Sequence, residues 1–148
     1  MIVVRTASLM IAAVLAAVQP TTSAHAEEIP KEPAYLYRAV VVRVVDGDTI
    51  DVDIDLGFYV WIKKQRIRLF GIDAPEVTGE TRQEGLAATE HLKSLIEGES
   101  IILRTVKGAD GGDRDDSFGR WLGTVYHGDI DVNAEMIRSG YAKPYQDR

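Results

Sequence analysis

The sequence predicts a mainly β fold with two helices, an α+β domain built on a five-stranded closed barrel. Three observations predict it. Short β-branched or alternating runs bounded by turn residues dominate the chain, and they fall in the order three strands, one helix, two strands, one short helix. Helices are nearly absent between strands, which excludes a doubly wound sheet. The 148 residues, 45% hydrophobic and 27% charged, leave room for one ordinary domain. The chain has no cysteine, so disulfides, thiolate zinc sites, iron-sulfur clusters, cysteine nucleophiles and a lipid-modified N-terminal cysteine are excluded. The three histidines, His25, His91 and His127, stand in no ligand spacing, so any metal is expected on oxygen, as calcium or magnesium. A net charge of −6 argues against coating nucleic acid by bulk charge and calls for a local basic patch instead.

In chain order, Arg5 precedes the uncharged run Thr6 to Val18, which is shorter than the roughly 20 apolar residues of a spanning helix. Ala24-His25-Ala26 follows as a small-x-small cleavage pattern. Residues 1–26 are therefore expected to be a secretory signal peptide, with an uncleaved membrane anchor as the alternative. Cleavage would remove Arg5 and no acidic residue, leaving a still more acidic protein. Residues 27–35, with Pro30 and Pro33 among charges, read as an extended leader, and 36–148 as the folded domain.

Leu36 to Val45 is rich in valine and reads as a largely buried strand. Asp46-Gly47 turns the chain. Thr49 to Leu56 alternates, with Ile50, Val52, Ile54 and Leu56 on one face and Asp51, Asp53 and Asp55 on the other. Gly57 marks a bulge or bend, Tyr59 to Ile62 resumes extended structure, Lys63-Lys64-Gln65 caps a hairpin, and Arg66 to Ile72 returns. Thr81 and Glu84 form a capping-box pair before a helix carrying Ala88, Leu92, Leu95 and Ile96 at helical spacing, ended by Gly98. Ile101 to Val106 and Arg120 to Tyr126 are the fourth and fifth strands, joined by the polar loop Gly108 to Ser117. Asp131 caps a short second helix whose Val132, Met136 and Ile137 face the core. This order fits a small Greek-key barrel of the OB-fold kind.

Three segments concentrate charge where turns leave strands: Asp46-Gly47-Asp48-Thr49, then Arg68 through Asp73-Ala74-Pro75-Glu76, then Phe118-Gly119-Arg120. Singly, each is explained by a turn with solvated charges. In combination, in this order, they resemble the staphylococcal nuclease (thermonuclease) family from about Leu36 to about Lys143. The resemblance implies an OB-fold barrel of the staphylococcal nuclease type. It implies one calcium ion on Asp48, Asp73 and the carbonyl of Ala74, and a catalytic set of Arg68, Glu76 and Arg120. Ala74 stands where threonine is frequent, which a carbonyl ligand tolerates. Phe118 stands where tyrosine is usual, removing a hydroxyl that could contact a phosphate. The hairpin from Asp55 to Gln65 is several residues longer than in the best-known members. Tyr141 and Tyr145 are candidates for the family's stacking tyrosines.

Phosphodiester hydrolysis explains why such a set is needed. The substrate is an anion, so water attacks slowly unless charge growing on the phosphoryl oxygens is neutralised in place. Two carboxylates suit a hard cation. Arginine presents a planar fork that lysine cannot reproduce. Glu76, beyond a rigid proline, can orient or deprotonate water. The resemblance implies calcium-dependent endonuclease action on DNA and RNA, single strands preferred and with little sequence specificity, leaving 3′-phosphate ends. It goes with a secreted or periplasmic monomer that has no stable membrane association after cleavage. A non-catalytic OB-fold module binding single strands or a protein partner is the alternative, and a calcium-stabilised structural domain a third.

Other signals are weaker. Asp51-Val52-Asp53-Ile54-Asp55 suggests a calcium loop, but Gly57 is one place too late and Ile62 stands where glutamate is needed. The acidic residues from Asp110 to Asp116 read as a solvated loop. Lys63 and Lys64, beside Tyr59 and Trp61, are either a solvated hairpin tip or a nucleic-acid surface.

Overall fold

A computed structural model describes residues 34–146. The expected signal peptide and nearly all of the expected leader lie outside the described residues. The domain contains β1 (Leu36–Asp46), β2 (Thr49–Asp55), β3 (Trp61–Leu69), β4 (Ile72–Asp73), α1 (Arg82–Ile96), β5 (Ser100–Thr105), β6 (Trp121–His127), β7 (Ile130–Asp131), α2 (Val132–Arg138) and β8 (Lys143–Pro144). The main sheet runs β3-β2-β1-β5-β6 with antiparallel neighbours and closes on itself where β3 meets β6 in parallel. That closed five-stranded barrel with two helices is the expected architecture. β7 extends the sheet beside β6, and β4 pairs with β8 in a separate two-stranded ribbon. No helix of the described residues is long and apolar enough to cross a membrane.

The alternation in β2 sorts Ile50, Val52 and Ile54 into the barrel as expected, but Leu56, expected on the same face, falls past the end of the strand and is exposed. Outside, Asp51 accepts from Arg66 Nε at 2.8 Å and Arg43 Nη2 at 3.3 Å, and Asp53 accepts from Lys63 Nζ at 2.9 Å. The Arg66 hydrogen bond holds the Asp51 carboxyl below the ordinary aspartate range, and the Lys63 bond does the same for Asp53.

Two local expectations are corrected. Lys63-Lys64-Gln65 does not cap the hairpin but lies inside β3, and the turn falls at residues 57–60, so Tyr59 is in the turn rather than extended. The pairing passes from Val52↔Gln65 to Ile54↔Ile62, so Lys63 and Lys64 together oppose Asp53 in a bulge. Asp53 stabilises that bulge by also accepting the Lys64 N–H at 2.9 Å. Secondly, Thr81 does not make a capping box. A 3₁₀ turn, Gly79–Thr81, runs straight into α1, so Thr81 has near-helical backbone (φ −90°, ψ 10°) instead of the extended conformation a cap requires. Its hydroxyl donates to the Glu76 carbonyl at 3.3 Å. In α2 the expected cap is present, with Asp131 Oδ1 accepting from Ala134 N–H at 2.9 Å.

α1 packs its Ala88, Leu92 and Ile96 face against β1, while Val132 and Met136 of α2 join the same core. Asn133 is buried beside the barrel seam. Its Oδ1 accepts from Val125 N–H at 3.0 Å, and its Nδ2 donates to Phe70 O at 2.9 Å and Gly123 O at 3.1 Å. One side chain thus ties α2 to the chain just after β3 and to β6. Asn133→Ala should take the side-chain partner from Val125 N–H and Phe70 O, while Gly123 O keeps the Phe70 N–H at 2.8 Å, and lower stability by about 2–3 kcal/mol in urea unfolding. A loss under about 0.5 kcal/mol would show that the seam closes without it.

Candidate active site at the barrel seam

The site follows from strand register. Asp46 pairs with Thr49, Thr49 with Arg68, and Arg68 with Leu122, so one row crosses four strands and ends two residues beyond Arg120. Asp48 sits in the β1–β2 turn, whose backbone is shaped by Asp46 Oδ1 accepting the Asp48 N–H at 3.1 Å. Gly47 makes the turn fit: a Cβ there would lie 2.7 Å from the Ala74 Cβ and 2.8 Å from the Ala88 Cβ. Glycine is equally required at 85, where a Cβ would lie 2.3 Å from the Glu76 carbonyl oxygen. Its absence lets α1 approach the Pro75-Glu76 backbone and fix where Glu76 leaves the scaffold.

Asp48 is 8% exposed and Arg68 7%. Asp48 Oδ2 accepts the Ala74 N–H at 3.0 Å, and Arg68 Nη2 lies 3.7 Å from Asp48 Oδ2 and 3.4 Å from Asp73 Oδ1. A buried arginine is tolerated here because two carboxylates face it. Thr49 donates its hydroxyl to Asp48 Oδ1 at 3.0 Å and accepts from Arg120 Nη1 at 3.1 Å. Asp116 holds Arg120 from the other side: its Oδ2 lies 2.7 Å from Nε and 2.5 Å from Nη2, and its Oδ1 accepts the Arg120 N–H at 2.9 Å. Nε and Nη1 donate hydrogen bonds and Nη2 makes the ion pair, so the guanidinium is held from two sides.

Asp48, Arg68, Asp73, Ala74, Asp116 and Arg120 border one polar cleft of about 1450 Å³, lined also by Asp46, Glu76, Arg66, Arg114, Phe118 and Tyr145, with Thr49 buried behind it. Asp48, Asp73, Ala74, Arg68, Glu76 and Arg120 are therefore brought together. Tyr145 joins them because the β4–β8 ribbon returns the chain to the cleft, with its ring 5.3 Å from the Arg68 guanidinium carbon. Tyr141 stands apart, stacked on His91 with ring centroids 4.2 Å apart. Lys63 and Lys64 also lie off the cleft, on the outer face of the barrel with Asp53.

The donor chemistry fits a hard cation. The acids that line the cleft are all carboxylates, with no His or Cys among them, and burial first, with the neighbouring Asp48 carboxylate adding to it, pushes the Asp46 carboxyl up. Among the described residues no three His, Cys, Asp or Glu side chains converge as a cage. Asp48, Asp73 and the Ala74 carbonyl would leave other coordination positions to water and substrate, as hard divalent cations accept.

Comparison with known proteins agrees with this geometry. The family described as Staphylococcal nuclease homologue matches residues 66–148. The chain belongs to this family. It is 39% identical over 107 residues to an "Uncharacterized endonuclease" of Escherichia coli O157:H7, covering 72% of this chain and 60% of that protein. To "Endonuclease YhcR" of Bacillus subtilis it is 31% identical over 131 residues, 80% of this chain and 10% of that one. To the "Thermonuclease" of Staphylococcus intermedius it is 31% identical over 109 residues, 70% of this chain and 57% of that one. The chain thus spans about three fifths of the first relative's length.

The family match begins at Arg66, so the turn bearing Asp48 and Thr49 joins the site through the fold. The sequence reading missed Thr49 and Asp116 as parts of the site. An aspartate ahead of a glycine turn and four residues before an arginine is a signal for Asp116. Burial pushes its carboxyl up, but the bonds from the Arg120 side chain and from the Arg120 and Phe118 N–H groups outweigh this and hold it below its ordinary value of 3.8. Its stabilising contribution is therefore full above pH 3.8 and is lost as pH falls through the lower folded value. Asp116→Asn keeps the backbone bonds and removes the charge. It should cost about 1–3 kcal/mol at pH 7, with the difference from wild type shrinking below pH 3.8 in urea unfolding at several pH values. A difference independent of pH would separate the effect from the ion pair.

Proposed function

We propose that the protein is an exported, calcium-dependent phosphodiesterase, an endonuclease that cleaves DNA and RNA with little sequence specificity, prefers single strands and leaves 3′-phosphate ends. The observation that carries this reading is the convergence of two guanidiniums, Arg68 and Arg120, with the carboxylates of Asp48, Asp73 and Glu76 on one open cleft. The names of the relatives, two endonucleases and a thermonuclease, support the same reaction class. Export is supported by the signal-like pattern of residues 1–26, and a secreted or periplasmic monomer is the form proposed.

Asp48, Asp73 and the Ala74 carbonyl would hold calcium, which supplies Lewis-acid charge to a non-bridging phosphoryl oxygen when bound. Arg68 and Arg120 bind the phosphate from the protein side. Asp116 and Thr49 fix the Arg120 guanidinium before substrate arrives, so it meets growing negative charge without reorganising. Glu76, exposed on the cleft, takes a proton from the attacking water as its oxygen bonds to phosphorus, the bond from phosphorus to the 5′-oxygen breaks, and the 5′-oxygen takes a proton from solvent. The charged groups address phosphate rather than base edges, which fits weak sequence choice and action on both nucleic acids.

The test is hydrolysis of a defined single-stranded oligonucleotide in calcium and then in chelator, with 3′ ends identified by mass spectrometry. Cleavage in calcium alone is expected. Arg120→Lys keeps the charge but not the fork, and should lower kcat by a factor of about 10² to 10³ while strand binding without calcium changes little. Strand binding with no calcium-dependent cleavage by wild type would instead support a binding module.

A further inference from the structure

The β2–β3 hairpin ends in an apex that the proposed reaction does not use. No charged residue lies between Asp55 and Lys63, and the intervening stretch is Leu56-Gly57-Phe58-Tyr59-Val60-Trp61-Ile62. Phe58 is 97% exposed and Tyr59 101%, while Leu56, Val60, Trp61 and Ile62 are also exposed. None of them lines the cleft.

The turn is ordered by hydrogen bonds from Val60 N–H to Gly57 O and from Leu56 N–H to Val60 O, both 2.9 Å. Its central residues, Phe58 and Tyr59, have φ of 51° and 62°, the φ pattern of a type I′ turn. That turn favours Asn-Gly, because left-handed backbone is unfavourable for bulky side chains. Phe58 and Tyr59 therefore strain the backbone and contribute nothing to the core. Both rings are open to a partner outside the chain.

Behind the apex stands a charged collar. Lys63 and Lys64 occupy the bulge opposite Asp53, and Arg38 on β1 pairs in register with Asp55, so cations outnumber carboxylates here in a chain that is acidic as a whole. Asp48 and Thr49 lie at the far end of β2, which at about 3.3 Å per residue is roughly 20 Å away.

We propose that this apex docks on an anionic lipid bilayer, with Phe58, Tyr59, Val60 and Trp61 entering the headgroup boundary and Lys63 and Lys64 meeting lipid phosphates. A convex tip with a basic collar suits a soft interface that accepts aromatic rings without a shaped pocket. A second copy is less well served, since one turn offers far less than the roughly 1,200 Å² of a stable protein interface. A single strand is less well served, since it needs cations set among the stacking rings and Leu56 to Ile62 carry none, whereas a bilayer meets the collar behind the rings. Bound this way, the protein keeps its cleft in water. The sequence reading expected no stable membrane association after cleavage; an exposed apex at the end of β2 becomes visible only once the turn is placed.

The chain has two tryptophans, and Trp61 is the one on the apex. In full-length Trp121→Phe protein, vesicles of brominated phosphatidylglycerol should quench Trp61 and shift its emission to the blue. Phe58→Ser with Tyr59→Ser should lower the partition coefficient by about tenfold, with hydrolysis of a free oligonucleotide unchanged. Lys64→Gln should weaken binding to phosphatidylglycerol and not to phosphatidylcholine. If Trp121→Phe fails to fold, Trp61→Phe in the otherwise native chain should abolish the quenching. Vesicle binding that leaves Trp61 unquenched would overturn the proposal, because another segment then holds the protein. A dimer dissolved by the serine substitutions, or Trp61 quenched by a single-stranded oligonucleotide without lipid, would also overturn it.

Discussion

The parallel pairing of β3 with β6 is the constraint on which the site depends. The other barrel strands are joined by antiparallel ladders, whereas this seam is parallel and joins segments more than fifty residues apart. Because Arg68 lies opposite Leu122, the chain leading into β6 must pass the β1–β2 turn, and Arg120 reaches Thr49. Without the seam, Arg68 would still neighbour Thr49 on the sheet, but Arg120 would be elsewhere. Asn133 closes the arrangement from α2 by bonding Val125 N–H and Phe70 O and by joining the Phe70 N–H on Gly123 O.

Two charge networks on the same strands do different work. On the outer face, Arg43-Asp51-Arg66 and Asp53-Lys63 are exposed pairs that neutralise a dense row of aspartates and contribute little each. In the cleft, Asp116, Arg120, Thr49, Asp48 and the Ala74 N–H form a continuous chain of hydrogen bonds around mostly buried groups. There the bonds fix direction: each side chain is held by a neighbour before a ligand arrives. Phe118, on the rim, leaves that chain intact because Asp116 binds the Phe118 backbone and not its ring.

Much of the fold was legible because its cues are local. The parity of Ile50, Val52 and Ile54 set the inner face of β2, and Asp131 announced α2. The hairpin misled because Lys63-Lys64-Gln65 has turn-like polarity, whereas the turn itself is made of Phe58 and Tyr59, which ordinarily mark strands; the Asp53 carboxylate that holds the bulge acts across strands. Thr81 misled because a capping-box pattern says nothing about a 3₁₀ turn running into the helix. The charged segments of the site were legible as a set, since each sits where a turn meets a strand. Thr49 and Asp116 were not, because their roles depend on the seam and on the direction of a guanidinium. Tyr141 and Tyr145 are close in sequence, yet only the ribbon register decides which one reaches the cleft.

The most direct measurement is a double-mutant cycle on Thr49→Val and Arg120→Lys, read as single-turnover hydrolysis of one oligonucleotide at saturating calcium. If the seam makes the hydroxyl and the guanidinium one unit, removing the hydroxyl should cost much less once Arg120 is lysine, giving a coupling of about 1 kcal/mol or more. Effects that add to within about 0.5 kcal/mol would contradict the account and leave Arg120 acting without the strand row that positions it here.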